Sequence, residues 1–153
     1  MKIALGYDDV GIGLRETIQE QISEHADIEL IDMSAPTGDD VEYYADVAER
    51  VSLAVAKGEA DRGILMCGTG LGMAMSACKV PGIRAATCHD VYSAERAIKI
   101  NNAQVLTMGS RVIGAEAAKT VLEAWFNSQW EEGTRSEPKV RRMIEMEKKY
   151  HEE

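Results

Sequence analysis

Short apolar runs alternate with longer amphipathic stretches along the whole chain. The runs Lys2–Gly6, Ile28–Asp32, Gly63–Cys67, Gly82–Thr87 and Gln104–Met108 read as strands. The stretches Gly13–His25, Val41–Lys57, Leu71–Cys78, Val91–Ile100 and Gly114–Asn127 read as helices. In the second of these, Val47, Val51, Ala54 and Val55 recur at helical spacing. A β-α-β-α order with strands apolar on both faces predicts an α/β fold, a parallel sheet covered by helices on each side. Its crossovers should be right-handed. The chain shows no internal repeat and no low-complexity tract.

After Trp130 the pattern changes. Glu131–Ser136 is a polar turn, and Glu137–Tyr150 reads as a charged helix that tolerates Pro138 in its first turn. Its apolar stripe is Val140, Ile144 and Met143, beside Met146 and Glu147. This helix could dock on its own domain or on a second subunit, and the site favours the second. The expected organisation is one domain over 1–153, with a core at 1–130 and an extension at 131–153.

Composition narrows the partners. A chain of 153 residues with 45% hydrophobic content fills one core. A net charge of −9 disfavours nucleic acid and anionic membranes as main partners. It does not disfavour a phosphorylated metabolite, which a few local donors can hold. No run of roughly 18 apolar residues is present, so no membrane span is expected. The start, Met1–Gly6, lacks the pattern of a secretory leader, and a cytoplasmic location is expected. Cys67, Cys78 and Cys88 are odd in number and spaced neither as a metal knuckle nor as a redox pair. Free thiols, no metal and no cofactor are the expectation.

In an open parallel sheet, ligands bind beyond the carboxyl ends of the strands. Those ends carry Asp8-Asp9, Cys67-Gly68-Thr69-Gly70-Leu71-Gly72, Cys88-His89-Asp90 and Gly109-Ser110-Arg111. The Cys67–Gly72 loop is the sharpest of them. Glycines at alternate positions let the backbone turn tightly and aim N–H groups at one point, which suits a phosphate or a developing oxyanion. A thiol in such a nest is a usable base. A plain tight turn with a half-buried cysteine explains the same residues. The loop is not a dinucleotide fingerprint, because Gly72 comes one position early, and no P-loop lysine follows. Asp8 and Asp9 could bind a metal, orient hydroxyls or cap the next helix. His89-Asp90 reads equally as a catalytic pair or as an N-cap beside a packed histidine. His25 and His151 are expected at the surface, and Met66, Met73, Met75 and Met108 in the core.

The ordered motifs Cys67–Gly72, Lys79–Ala86, His89–Ala94 and Asn101-Asn102-Ala103 resemble the ribose-5-phosphate isomerase B family, which includes the galactose-6-phosphate isomerase subunits. The similarity runs from Met1 to about Lys139. It implies a Rossmann-like three-layer αβα sandwich with a five-stranded sheet. It also implies a homodimer or dimer of dimers, a C-terminal helix used in dimerisation, and sites built from both subunits. The implied activity is aldose–ketose isomerisation of a small phosphorylated sugar through a cis-enediolate.

By the same resemblance, Cys67 matches the base, Gly68, Gly70 and Gly72 the enediolate cradle, and Thr69 a helping hydroxyl. Asp8 and Tyr44 match substrate-contacting positions, and Asn101 a hydroxyl binder. Arg111 and Arg135 match phosphate binders, with Arg135 reaching over from a partner. Lys139 stands where a further arginine is common. Three positions depart from the family. Asp9 replaces a histidine in the substrate pocket, Ser136 replaces another, and Ile100 stands where the ring-opening histidine is expected. Isoleucine cannot transfer a proton. A tetrose 4-phosphate needs no ring opening, since its terminal hydroxyl carries the phosphate. Tyr92–Ala97, Asn101-Asn102 and Gly109–Gly114 look like the erythrulose-4-phosphate isomerase branch. The expected reaction is D-erythrulose 4-phosphate to D-erythrose 4-phosphate, with ribose 5-phosphate or another pentose or hexose phosphate as the alternative. A receiver-like signalling domain would want an aspartate where Cys67 stands, and a catalytically dead subunit would not be expected to keep that thiol.

Overall fold

The computed structural model describes residues 1–34, 38 and 41–151. Among them, β1 (Lys2–Tyr7), β2 (Glu29–Asp32), β3 (Arg62–Cys67), β4 (Ala85–Thr87) and β5 (Val105–Gly109) form one parallel sheet in the order β2-β1-β3-β5-β4. The helices are α1 (Arg15–Ser23), α2 (Tyr44–Ala56), α3 (Leu71–Ala77), α4 (Val91–Lys99), α5 (Ala115–Phe126) and α6 (Glu137–His151).

Two apolar clusters lie on the two faces of the sheet. One gathers Ile18 and Ile22 of α1, Ala94 and Ile98 of α4, and Val121, Leu122 and Trp125 of α5. The other gathers Val47, Val51 and Val55 of α2 with Met73 and Ala77 of α3. The handedness rule accounts for this division. The moves β1 to β2 and β4 to β5 run one way along the sheet, and β2 to β3 and β3 to β4 the other. Right-handed crossovers therefore put α1 and α4 on one face, and α2 and α3 on the other. Both faces being covered, β3 and β5 are buried along nearly their whole length.

The structure sharpens several boundaries. The first helix begins with a 3-10 turn at Gly11–Leu14, because Asp8 accepts from the Val10 and Gly11 amides and tightens the chain there. The second begins at Tyr44, where Asp46 reaches back to the Tyr43 amide at 2.7 Å. Strand β4 starts at Ala85, after a turn in which Gly82 takes a φ of +84°. Met66, Met73 and Met108 are core residues as expected, but Met75 is 70% exposed, since it faces away from the sheet on α3. His25 is not simply solvated: its Nε2 lies 2.6 Å from Glu123 Oε1 and its ring packs edge-on against Phe126.

Helix α6 docks on its own chain. Val140 is buried, Ile144 is half-buried, and the Glu147 carboxylate accepts from the Gly82 amide at 3.0 Å. Met143, Met146 and Tyr150 remain exposed. No helix among the described residues is long and apolar enough to cross a membrane.

Candidate active site

Strand β3 sends its chain to α3 on one face, while its two neighbours β1 and β5 send theirs to the opposite face. The three strands therefore part at their carboxyl ends and leave a crevice, the topological position where α/β sheets bind ligands. Register puts Tyr7 beside Met66 and Cys67 beside Gly109. Asp8, the Cys67 loop and the Gly109–Arg111 loop thus meet at one sheet edge.

The Cys67 loop is locked from every side. The Gly70 amide donates to Cys67 Sγ at 3.1 Å and so fixes the sulfur. The carbonyls of Cys67 and Gly68 accept from the Ser110 and Arg111 amides, each at 3.0 Å. The Gly70 carbonyl accepts from Thr107 Oγ1 at 2.9 Å, and Thr87 Oγ1 lies 2.8 Å from Thr107 Oγ1. Gly70 has a φ of +80° and lies so close to Met108 that a Cβ would come within 2.9 Å of its backbone. Both facts require glycine. Cys67 is buried to 6% exposure.

Around it, Asp8 donates its amide to the Met66 carbonyl and uses Oδ1 to cap the 3-10 turn. Thr69 is exposed, and its hydroxyl accepts from the Leu71 amide at 3.3 Å. Of the first amides of α3, that of Leu71 is given to Thr69, and those of Gly72 and Met73 lie in the first turn, where a helix offers no carbonyl four residues back. Tyr44 lies against Gly72, where a Cβ would stand 2.8 Å from its ring. The Arg111 side chain runs past Gly68, 3.6 Å from the position a Cβ would take. Asp9 is exposed beside Asp8. Asp8, Asp9, Tyr44, Cys67, Gly68, Thr69, Gly70, Gly72 and Arg111 therefore share one neighbourhood.

Asn101, Arg135 and Lys139 do not join them. A helix in a parallel α/β unit runs back along the sheet, so the segment after α4 returns to the amino edge of the strands. Asn101 sits there, lining a hollow with Arg84 and Ala103. Arg135 lies at the same edge, beyond α5, in a cavity shared with Arg96 and Ile100. Lys139 is exposed in the first turn of α6.

His89 and Asp90 take the quieter of their two readings. Asp90 Oδ1 caps α4 by accepting from the Ser93 amide at 2.7 Å. His89 Nε2 accepts from the Gly109 amide at 2.9 Å. Burial lowers the imidazole's pKa, and the nearby Asp90 carboxylate only partly opposes this. His89 is thus a neutral support for the loop after β5. Sequence reasoning missed this role, and it missed Thr87 and Thr107. Those threonines read as ordinary strand residues until register pairs them.

The other thiols differ from Cys67. Cys78 is exposed, and Cys88 is buried. Burial, reinforced by Asp90, pushes the Cys88 thiol up to about 11. Among the described residues, no group of three or more His, Cys, Asp or Glu side chains could hold a metal ion.

The ribose/galactose isomerase family matches residues 3–143. The chain belongs to this family. A ribose-5-P isomerase B from Listeria innocua is 46% identical, covering 97% of this chain and 99% of that one. A D-erythrulose-4-phosphate isomerase from Pectobacterium atrosepticum is also 46% identical, covering 94% and 93%. The solved ribose-5-phosphate isomerase B of Clostridium thermocellum superposes with a TM-score of 0.89 at 39% identity, covering 98% of this chain and 99% of that one. This ribose/galactose isomerase family member is a sugar-phosphate aldose–ketose isomerase with an α/β sandwich fold.

Proposed function

We propose that the enzyme interconverts D-erythrulose 4-phosphate and D-erythrose 4-phosphate, with Cys67 as the base. The observation that carries the mechanism is the Cys67 sulfur, fixed by the Gly70 amide at the crevice where β1, β3 and β5 part. The Cys67 thiolate removes the proton from the carbon next to the carbonyl. The C–H electrons form the C1–C2 double bond, and the carbonyl oxygen becomes an enediolate oxygen. The Gly72 and Met73 amides in the first turn of α3 stabilise that charge. The exposed Thr69 hydroxyl, within the same loop, exchanges a proton with the substrate oxygens. The thiol then returns its proton to the neighbouring carbon, which completes the transfer. Asp8, Asp9 and Tyr44 are assigned to the sugar hydroxyls, and Arg111 to an anionic end of the substrate. Asn101, Arg135 and Lys139 are assigned to the site of a second copy, in a homodimer or a dimer of dimers that α6 helps to hold.

The tetrose assignment rests on Ile100. It lies in the same cavity as Arg135 and offers no group that could open a sugar ring. A tetrose 4-phosphate arrives open-chain. The decisive measurement is kcat/KM on a panel of aldose and ketose phosphates, with Cys67→Ala as the control. Tetrose phosphates should lead, and the alanine variant should lose about 10²–10⁴-fold in turnover while staying folded. A tenfold preference for ribose 5-phosphate would replace the tetrose assignment by that pentose. Near-normal turnover by Cys67→Ala would end the thiol mechanism.

A further inference from the structure

Strand β5 is buried along its whole length, and Thr107 at its middle puts a hydroxyl into that core. Burying a hydroxyl is costly unless it is hydrogen-bonded. Thr107 Oγ1 donates to the Gly70 carbonyl at 2.9 Å. The Ala74 amide donates to the same oxygen at 3.0 Å, as the first bond of α3. A carbonyl oxygen has two lone pairs, so these two donors fill it. Thr87 Oγ1 stands 3.4 Å from that oxygen but 2.8 Å from Thr107 Oγ1. The single hydroxyl proton of Thr107 is spent on Gly70, so Thr87 donates to Thr107. Two hydroxyls on paired strands thus form a directed chain that ends on one peptide group.

Gly70 is the residue of the loop that most needs holding. A glycine at a φ of +80° has more conformational freedom than any other residue would have there. Its amide is the donor to Cys67 Sγ at 3.1 Å. Before it, the Cys67 and Gly68 carbonyls are held by the Ser110 and Arg111 amides. After it, the Gly70 carbonyl is held by Ala74 and Thr107. Pinned on both sides, the segment keeps the Gly70 amide turned toward the sulfur. That bond fixes where the sulfur lies and stabilises it once it is charged.

We propose that Thr107, backed by Thr87, is a positioning residue for the isomerisation: its hydroxyl holds Gly70 so that the Gly70 amide stays on the Cys67 sulfur. The proposal rests on the reading of Cys67 as the base. Thr107 is fully buried and acts through Gly70, not on the sugar. Loss of its hydroxyl should therefore disturb the reacting sulfur and spare sugar binding.

The test is steady-state kinetics on the sugar phosphate that the parent turns over fastest. Thr107→Val removes the hydroxyl and keeps the branched shape. Its kcat should fall about tenfold while KM stays within about twofold. Thr107→Ser restores the hydroxyl and should recover most of the loss. Thr107→Ala also lacks the hydroxyl and should lose at least as much kcat as Thr107→Val, so the result does not hang on one variant. Circular dichroism and urea midpoints establish that each protein is folded. A folded Thr107→Val or Thr107→Ala with kcat within about twofold of the parent overturns the proposal. So does an equal loss in Thr107→Val and Thr107→Ser, since the hydroxyl would then not be the cause. Cys67→Ala separates this outcome from the reading beneath it. An inactive Cys67→Ala beside a parent-like Thr107→Val leaves the thiol base standing and removes the positioning role, whereas near-normal turnover by Cys67→Ala removes both.

Discussion

The Gly109 amide donates to Nε2 of His89 across 2.9 Å, and the same glycine is pressed against Thr69, where a Cβ would come within 2.5 Å of the backbone. An imidazole that accepts at Nε2 carries no proton there. Protonation of His89 therefore breaks the support of the loop on which the Cys67 segment rests.

This coupling predicts an acid sensitivity with a definite sign. Burial lowers the His89 pKa in the folded protein. The unfolded chain takes up its proton near the ordinary value of about 6.5, while the folded chain resists. The contribution of His89 is thus fully present above that value and declines as pH falls through it toward the lowered folded pKa. Urea midpoints at pH 7.5 and 5.5 should show a drop in the parent that is smaller in His89→Gln, whose amide oxygen can still accept from Gly109. Equal drops in the two proteins would exclude His89 as a source.

The thiols should separate by reactivity. With Cys88 pushed up to about 11 and only 2% exposed, its thiolate fraction at pH 8 is about one in a thousand. Iodoacetamide should label exposed Cys78 readily in the folded protein and leave Cys88 untouched until denaturant is added. Cys88→Ala should keep turnover within about threefold, since it removes a small buried group and no reacting atom. Rapid native labelling of Cys88, read by peptide mass, would contradict its burial.

The sheet and most helices were legible because runs such as Gly63–Cys67 are apolar on both faces, and only a doubly covered strand satisfies that pattern. The order of β5 between β3 and β4 was not legible, since no local pattern encodes which strands become neighbours. The Cys67 loop could be read from its glycine spacing, because a left-handed turn limits the residue at position 70. The supporting contacts could not, because Thr87, Thr107 and His89 reach the loop only through strand register. Met75 was misplaced because a short helix with three methionine and alanine neighbours gives little phase information. The separation of Asn101 from Cys67 follows from chain direction alone: residues that leave a helix in a parallel unit emerge at the opposite edge from residues that leave a strand.

That separation carries the strongest test of a shared site. Strand β3 runs six residues from Arg62 to Cys67, and at ~3.3 Å per residue it holds the two edges about 16–20 Å apart. No side chain spans that distance, so Cys67 and Arg135 of one chain cannot act on one small sugar. If both are needed, each site joins Cys67 of one copy to Arg135 of another. Cys67→Ala and Arg135→Ala should then each be nearly inactive alone. After subunit exchange at equal amounts, half of the dimers are hybrids, and each hybrid has one doubly damaged site and one intact site. Activity should recover to about one-quarter of the parent's at random pairing. Mixtures that stay inactive, with hybrid formation verified by native mass spectrometry, would place the whole site within a single chain.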